Sequence, residues 1–304
     1  MTNKIGLSRL TDTGVYFYLI LALVAFAANS VLCRLALASG EIDPSGFTIV
    51  RLVSGAVTLV LILLIREKHE GRSAIKLLAK GSWLGAFALF IYALGFSYAY
   101  VQLDTGSGAL VLFGSVQLSM IAFGLYKGER FNEYQWSGLL LALVGLVYLL
   151  WPSISTPSML GAALMMLAGL AWGVYSILGK SSTDALADTA CNFLRSTVFV
   201  ALLLALSFSQ IAFSLHGLAL AVASGAFASG VGYAVWYSVL PKLTSMHAAV
   251  AQLSVPIIAG LGGVVLVNEA LTLHLSLASV MVLGGVLIVI KLKSPVSQSI
   301  SSEN

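Results

Sequence analysis

The sequence predicts an all-α polytopic membrane protein in which ten transmembrane helices form two inverted five-helix repeats. The first observation behind this prediction is the composition: 59% of the 304 residues are hydrophobic and only 9% are charged, whereas globular proteins average roughly 25% charged residues. The second is an internal repeat, and the third is the distribution of lysine and arginine. A chain of this length holds about ten spans of roughly 20 residues with short loops, which leaves no room for a soluble domain.

The chain repeats itself about halfway along its length. Superposing Glu129 on Glu269 also superposes other identical residues, namely Gly145 and Gly285, Ala109 and Ala249, and Leu103 and Leu243. Slightly different offsets align further positions: Phe26 with Trp172, Asn29 with Tyr175, Ser30 with Ser176, Arg34 with Lys180, and Arg51 with Arg195. The chain is therefore interpreted as two copies of one unit of about 150 residues.

Apolar runs separated by short polar stretches mark the transmembrane helices. Pro44 opens the second run, in the first-turn position where a helix tolerates proline. The predicted spans are residues 14–36, 44–65, 82–102, 106–126, 135–151, 159–179, 188–208, 216–239, 247–267 and 273–291.

Two prolines mark the junction between the repeats. Pro152 and Pro157 flank a short polar stretch, and proline is disfavoured inside a helix. We therefore expect residues 1–152 to form the first five-helix repeat and residues 153–294 the second. The serine-rich residues 295–304 are predicted to be a disordered cytoplasmic tail.

Basic residues orient the helices. With the N-terminus inside, every lysine and arginine in a loop falls on the cytoplasmic side, and the remaining three of the 16, Arg34, Arg51 and Arg195, lie within helices. This is the positive-inside pattern, so both termini are expected in the cytoplasm. An odd number of spans per unit inverts the second unit in the bilayer. Inverted repeats are typical of secondary transporters, whose substrate site lies near the midplane between the repeats.

The charge and cysteine content exclude other classes of protein. The net charge of +4 predicts no nucleic-acid site, because the basic residues lie in short loops beside the membrane. Cys33 and Cys191 lie in separate apolar runs without metal-binding spacing, so we expect them to pack. Lys4 and Arg9 precede an Ala-Phe-Ala pattern like that of a signal peptide. That run matches an internal segment of the second copy, so we expect it to remain as the first span.

Three short motifs carry a resemblance to a known family. They are Gly128-Glu129-Arg130, Gln135-Trp136-Ser137-Gly138, and Ala171-Trp172-Gly173-Val174-Tyr175. With them, nearly the whole chain resembles the EamA-type branch of the drug/metabolite transporter superfamily, and it is most similar to the bacterial aromatic amino acid exporters. The resemblance implies a bacterial inner-membrane protein that carries phenylalanine, tyrosine, tryptophan and related amino acids out of the cell. The second copy departs from the first motif with Asn268-Glu269-Ala270, and the loss of the arginine suits an external loop.

Aromatic residues supply the first group of candidate substrate-binding residues. Trp172 and Tyr175 share one face of the sixth span with small residues, and small residues beside a large ring are expected to leave a hollow. Tyr98 on the third span and Trp236 on the eighth join them as candidates. Tryptophan and tyrosine are also enriched at membrane interfaces, and Trp83, Trp136 and Trp151 at span ends are interpreted as such anchors.

Polar residues within the spans form the second group of candidates, because each is costly in hydrocarbon. Asn29 lies on the first span, and Gln252 on the ninth shares a stripe with Pro256. A proline within a helix frees a backbone carbonyl, which is tolerated where the helix lines a cavity, so Asn29 and Gln252 are expected to bind substrate. The alternative is hydrogen bonding between helices, which applies equally to Ser115 and Gln117.

Four basic residues form a set related by the repeat. Arg34 and Arg51 are expected near the external ends of their helices, beside Glu41 and Asp43, whereas Lys180 and Arg195 are expected near the internal ends, beside Asp184 and Asp188. They are interpreted as ion pairs of two gates or as ligands of a substrate carboxylate. The alternative is that they anchor helix ends at the membrane surface.

Missing motifs narrow the function. No acidic residue falls at a predicted midplane, no phosphate-binding loop is present, and all four histidines lie near loops. We therefore expect neither an enzyme nor a cofactor nor a metal. The prediction is an exporter that moves aromatic amino acids and similar amphipathic zwitterions by alternating access.

Several alternatives stay open. One is an exporter of another metabolite or drug, such as a purine, a threonine-type amino acid or an organic cation. Others are an intramembrane enzyme, a channel and a scaffold. The expected partners are a small-molecule substrate and membrane lipid, and the small-residue stripes suit a monomer or a homodimer equally.

The topology can be tested with single cysteines in a chain that lacks Cys33 and Cys191. A cysteine at Ser155 should react with a membrane-impermeant maleimide in intact cells, because residues 153–156 are predicted to be external. A matched cysteine at Ser73, in a basic and therefore cytoplasmic loop, should react only after lysis. The reverse pattern would overturn the predicted orientation.

Overall fold

The computed structural model describes residues 12–38, 40–71, 80–103, 105–150, 158–266 and 273–291, and these are almost entirely helical. The first unit contributes helices that agree with the predicted spans to within a few residues. They are α1 (Asp12–Ala38), α2 (Pro44–His69), α3 (Trp83–Gln102), α4 (Thr105–Tyr126) and α5 (Glu133–Leu150). The predicted junction around residues 151–157 and the tail after residue 295 lie outside the described residues.

The second unit contains two interrupted helices where single helices were predicted. Its helices are α6 (Met159–Lys180), α7 (Ala185–Ser207), α8 (Leu215–Ala223), α9 (Gly232–Val239), α10 (Ser245–Gln252), α11 (Ser254–Leu266) and α12 (Leu273–Lys291). A π-helical segment, Ser224–Val231, joins α8 to α9. A turn at Leu253 separates α10 from α11, and Pro256 cannot donate the helical hydrogen bond to the Gln252 carbonyl, which accounts for the break.

Much of the surface is apolar, as a membrane-spanning chain requires. Six helical segments are long and apolar enough to cross a membrane: Gly14–Leu37, Pro44–His69, Trp83–Gln102, Met159–Lys180, Ala185–Gln210 and Leu215–Lys242. Shorter apolar helices accompany them at Val111–Tyr126, Ser245–Ala259 and Ser276–Lys291. Large side chains such as Phe17, Ile65 and Leu118 are exposed, which is unfavourable in water and favourable in lipid.

Side-chain caps explain where many of the helices begin. At each such start the capping oxygen accepts the backbone N–H of the residue three positions later, which satisfies one of the unpaired donors of the first turn. The capping residues are Asp43 of α2, Ser82 of α3, Ser158 of α6, Asp184 of α7, Ser214 of α8 and Thr244 of α10.

The packing of the helices is related by the repeat. In the first unit α3 and α4 pack on α6, and in the second unit the corresponding segments, α8–α9 and α11, pack on α1. Helices α2 and α7 pack on each other, as do α5 and α12. Each unit therefore buries its helices against the other unit, and the core between them is shared.

Contacts between helix ends join the ends that the predicted topology places on the same side. On the predicted outer side, the backbone N–H of Asp43 donates to the Ala212 carbonyl at 3.0 Å, and Ile42 and Phe213 form an isolated antiparallel bridge. On the predicted inner side, Arg66 at the end of α2 forms an ion pair of 2.7 Å with Asp184. Both sets of contacts connect the two units.

Glycines allow α5 and α12 to approach each other closely. A Cβ atom added to Gly138 would lie 2.8 Å from the Gly285 carbonyl oxygen, and one added to Gly145 would lie 2.7 Å from the Met281 Cβ. The neighbouring Gly284 has no atom within 4 Å of such a position. Gly145 and Gly285 therefore serve the close packing of α5 and α12, because a larger residue would separate the helices.

We expect Gly285→Ala to destabilise the protein by about 1–3 kcal/mol, because the new methyl group overlaps α5. Gly284→Ala is the matched control, and it should be neutral or stabilising by about 0.5–1 kcal/mol, since alanine favours the helix. The measurement is the unfolding temperature of the purified protein. Equal effects of the two substitutions would contradict the close packing.

Candidate functional site

A cluster of seven aromatic rings lies in the shared core and is called the central aromatic cluster. Its members are Phe26 of α1, Tyr92 of α3, Trp172 and Tyr175 of α6, and Tyr233, Trp236 and Tyr237 of α9. Trp172 lies at its centre, with ring centroids 4.9 Å from Tyr233 and 5.0 Å from Tyr92. Phe26 contacts Trp172, Tyr233 and Trp236 at 5.3, 5.7 and 5.5 Å. The rings come from both units, so the cluster lies at their interface.

Gln252 binds the indole of Trp172. The Trp172 Nε1 donates a hydrogen bond of 2.6 Å to the Gln252 Oε1, and both side chains are buried. The Gln252 amide in turn donates to the Ala248 carbonyl at 3.3 Å. The structure therefore brings together Trp172, Tyr175 and Gln252, beside the break between α10 and α11.

The hollow expected beside these rings is filled. The ring of Tyr237 lies against Gly179. A Cβ atom added to Gly95 of α3 would lie 3.3 Å from the Ala168 Cβ, so α3 packs closely on α6. Trp172 is 6% exposed and Trp236 is 0% exposed. The small residues of α6 allow neighbouring helices to pack closely on it. The sequence pattern of α6 alone cannot show which side chains of another helix occupy the space beside these small residues.

Two buried nitrogens around the cluster have no hydrogen-bond partner among the described residues. They are the Trp236 Nε1 and the Arg51 Nη1. Buried polar groups are nearly always paired, so each unpaired group needs an explanation. A bound polar ligand or water would satisfy them.

Arg51 lies within the core, contrary to the expectation that it sits at an external helix end. The side chain is 1% exposed, its Nε donates to the Ser229 hydroxyl at 3.0 Å, and its Nη2 lies 3.2 and 3.3 Å from the hydroxyls of Tyr92 and Tyr233. The guanidinium also lies 5.1 Å from the centroid of the Tyr92 ring. Arg51 of α2 therefore contacts the aromatic cluster through the hydroxyls of Tyr92 of α3 and Tyr233 of α9.

The acidic residues expected to pair with Arg51 make other contacts. The Asp43 carboxylate caps α2 and also accepts the backbone N–H of Ala212 at 3.0 Å, and the Ser214 hydroxyl donates to the Glu41 carboxylate. Arg34 occupies an exposed position on α1.

Two of the predicted substrate residues lie outside the ring cluster. The Tyr98 hydroxyl is 2.5 Å from the Ser45 hydroxyl, which ties α3 to α2, and no ring contact among the described residues joins Tyr98 to the cluster. The Ser224 hydroxyl donates to the Asn29 Oδ1 at 2.5 Å. Asn29 therefore faces the π-helical segment, where it holds the two units together.

Lys180 pairs with Glu129 instead of the expected Asp184 or Asp188. Its ammonium lies 2.9 Å from the Glu129 Oε1 and 2.9 Å from the Ser245 hydroxyl. The Glu129 carboxylate also accepts the backbone N–H groups of Ser245 and Met246, each at 2.9 Å. These four residues are called the inner latch, because they join the α4–α5 loop to the ends of α6 and α10. The sequence gives no signal for this pairing because Glu129 and Lys180 lie far apart along the chain, although Glu129 belongs to the Gly128-Glu129-Arg130 motif.

Arg195 anchors a loop. Its guanidinium donates to the Lys80 carbonyl and lies 5.9 Å from the centroid of the Trp83 ring. On the same face of α7, the Asp188 carboxylate accepts the N–H of Gly81 and the Asn192 Oδ1 accepts that of Ser82, each at 2.8 Å. Asp184 is held by Arg66: burial opposes ionisation of the carboxyl, but the Arg66 guanidinium outweighs it and lowers the pKa of Asp184.

Two long segments of the chain match one known protein family. Residues 13–151 and again residues 159–291 match the EamA-like transporter family. An uncharacterized protein of Pseudomonas aeruginosa is 50% identical over 89% of this chain and 92% of that protein. An uncharacterized transporter of Archaeoglobus fulgidus is 24% identical over 82% of this chain and 90% of its own length, and one of Bacillus subtilis is 23% identical over 81% and 87%.

A solved structure supports the fold. One crystal structure superposes with a TM-score of 0.76 over 92% of this chain and 98% of that chain, at 18% sequence identity. A likeness at this identity concerns the fold alone.

The inner latch predicts a pH dependence. Burial opposes ionisation of Glu129, but the N–H groups of Ser245 and Met246 and the Lys180 ammonium outweigh it, so the pKa of Glu129 lies below its ordinary 4.5. A carboxyl with a lowered pKa stabilises the folded state above its unfolded pKa, and this stability is lost as the pH falls through the folded value. Glu129→Gln should therefore cost roughly 1–3 kcal/mol at pH 7, and its deficit against the parent should shrink below about pH 4.5.

The measurement is the unfolding temperature of both proteins between neutral pH and about pH 3.5. Glu133→Gln is the matched control, because Glu133 is exposed at the start of α5 and should show little deficit at any pH. A deficit of Glu129→Gln that stays constant with pH would argue against an ionised latch.

Proposed function

Because this chain belongs to the EamA-like transporter family, whose members are transporters and not enzymes, we propose that it exports aromatic amino acids and similar amphipathic zwitterions from the cytoplasm. The protein is a multi-pass membrane protein. The proposal assigns it to the bacterial inner membrane, with ten spans, the two inverted repeats divided near residue 152, and both termini in the cytoplasm.

The single observation that carries the proposed substrate is the central aromatic cluster at the interface of the two units. It combines tilted and edge-on ring contacts around Trp172 with buried nitrogens that lack a partner in the described part of the chain, the Trp236 Nε1 and the Arg51 Nη1. An aromatic amino acid matches both features, because its ring replaces ring contacts and its polar groups supply hydrogen bonds. Trp172, Tyr175, Trp236 and Gln252 are proposed to contact the substrate, with Asn29 and Tyr98 at the periphery.

The mechanism proposed is alternating access, in which two sets of contacts between the units open in turn. The inner latch closes the cluster on one side, and the contacts of Asp43 with Ala212 close it on the other. Substrate would enter when the latch residues Glu129 and Lys180 separate, and leave when the outer contacts separate. Because each set joins one unit to the other, rocking of the units breaks one set while the other holds.

The role proposed for the basic residues follows from these contacts. Lys180 is assigned to the inner gate through Glu129. Arg195 is assigned to anchoring residues 80–82, and Arg34 to the membrane surface, where long basic side chains reach the head groups.

The test of the proposal is the flux of labelled phenylalanine in proteoliposomes. Trp172→Ala should reduce this flux about tenfold or more, since aromatic pairs contribute about 0.5–1.5 kcal/mol beyond their buried area and each 1.4 kcal/mol is a factor of ten. Trp136→Ala is the control at matched abundance, because Trp136 is 40% exposed and lies outside the cluster. Equal losses in both variants would place the site elsewhere.

The same vesicles separate the alternatives. Unlabelled purine, threonine and an organic cation should compete poorly with labelled phenylalanine. If one of them is transported and phenylalanine is not, the chain is an exporter of that other solute class.

A further inference from the structure

Arg51 carries a positive charge inside the core, where the described residues offer it no anionic partner. The side chain is 1% exposed, and no carboxylate in the described part of the chain forms an ion pair with it. Its partners are the hydroxyls of Ser229, Tyr92 and Tyr233, all of which are neutral. A charged group at this depth in a membrane protein is costly and is usually functional.

One nitrogen of the guanidinium is left without a partner by the described residues. The Nε and Nη2 atoms donate to hydroxyls, whereas the Nη1 atom is buried and makes no hydrogen bond to any residue that the structure describes. The contacts of the Nε and Nη2 atoms orient the Nη1 atom, as a binding site requires. A guanidinium with a free N–H edge suits an oxygen of a carboxylate, which would supply both the missing acceptor and the missing negative charge.

The surroundings of Arg51 are built by both units. Ser229 lies in the π-helical segment of the second unit, and π-helical turns occur frequently at functional sites. Gly225 of the same segment lies directly against the Arg51 carbonyl, where a Cβ atom would overlap. This wide segment therefore packs closely on α2 and brings the Ser229 hydroxyl to the Arg51 Nε.

Tyr92 connects this charge to the aromatic cluster. Its hydroxyl contacts the Arg51 Nη2, and its ring lies 5.0 Å from the ring of Trp172. A ligand whose carboxylate contacts Arg51 would therefore lie beside the aromatic cluster.

We propose that Arg51 is the carboxylate-binding residue of the transported solute, so that the protein selects solutes that carry a carboxylate group. This inference rests on the proposed function and names the substrate group that its site requires. Binding of the carboxylate neutralises the guanidinium, which favours closure of the loaded cluster over closure of the empty one.

The experiment measures ligand-induced shifts in the unfolding temperature of the purified full-length protein. The ligands are phenylalanine, 3-phenylpropanoate, phenylalanine amide, 2-phenylethylamine and hexanoate, which separate the carboxylate from the ring and the ammonium. For the parent, we expect phenylalanine and 3-phenylpropanoate to bind about 100-fold more tightly than the amide and the amine, because the latter leave the buried charge unpaired.

Arg51→Gln should abolish the preference for the carboxylates, whereas Lys68→Gln, which removes an exposed charge near the end of the same helix, should keep it. Arg51→Lys keeps the charge but loses the planar guanidinium whose Nε and Nη2 contacts hold the Nη1 in place, and it should bind carboxylates more weakly than the parent. If Arg51→Gln does not fold, the comparison of acid with amide in the parent still decides the matter.

The outcomes distinguish the two proposals. Equal binding of phenylalanine and its amide, an undiminished preference in Arg51→Gln, or no binding of any carboxylate would overturn the role of Arg51. Arg51-dependent binding of hexanoate without binding of the aromatic acids would support Arg51 and overturn the aromatic substrate.

Discussion

The hydrocarbon layer offers no water to backbone N–H and carbonyl groups, and this constraint accounts for the helical structure of the chain. Continuous helices satisfy their own backbone, so they can face lipid. The two irregular places, the π-helical segment Ser224–Val231 and the turn at Leu253, have much of their length buried against other helices. These two breaks inside predicted spans lie at the interface of the two units, which is also where the candidate site lies.

The paired charged groups that the structure describes follow the same constraint, and Arg51 does not. Glu129, Lys180, Arg66 and Asp184 pair at helix ends, where water still reaches them in part. There they connect one unit to the other. These ion pairs therefore lie near the ends of the helices and not in the middle of the core. Arg51 departs from this pattern, since it lies among aromatic rings and hydroxyls. The exception identifies the part of the core that packing alone does not explain.

The aromatic cluster combines tight packing with incomplete hydrogen bonding. A core selected only for stability would not keep the Trp236 Nε1 buried without an acceptor among the described residues, because a buried unpaired polar group costs about 1–3 kcal/mol. This donor, together with the bond between Trp172 and Gln252, fits a site that exchanges protein contacts for ligand contacts. Glycines such as Gly138 and Gly285 let α5 and α12 pack closely.

The sequence by itself determined the helical class, the positions of the helices and the repeat, because hydrophobic run length and the residue pairs such as Glu129 with Glu269 are local or periodic signals. It also identified Trp172, Tyr175 and Gln252 as candidates, since aromatic and polar residues within apolar runs stand out. Only the tertiary structure decided that Lys180 pairs with Glu129, that Tyr237 fills the space beside Gly179, and that Arg51 points into the core. The physical reason is that a side chain's partners come from helices far away in sequence, whose rotation and depth depend on packing.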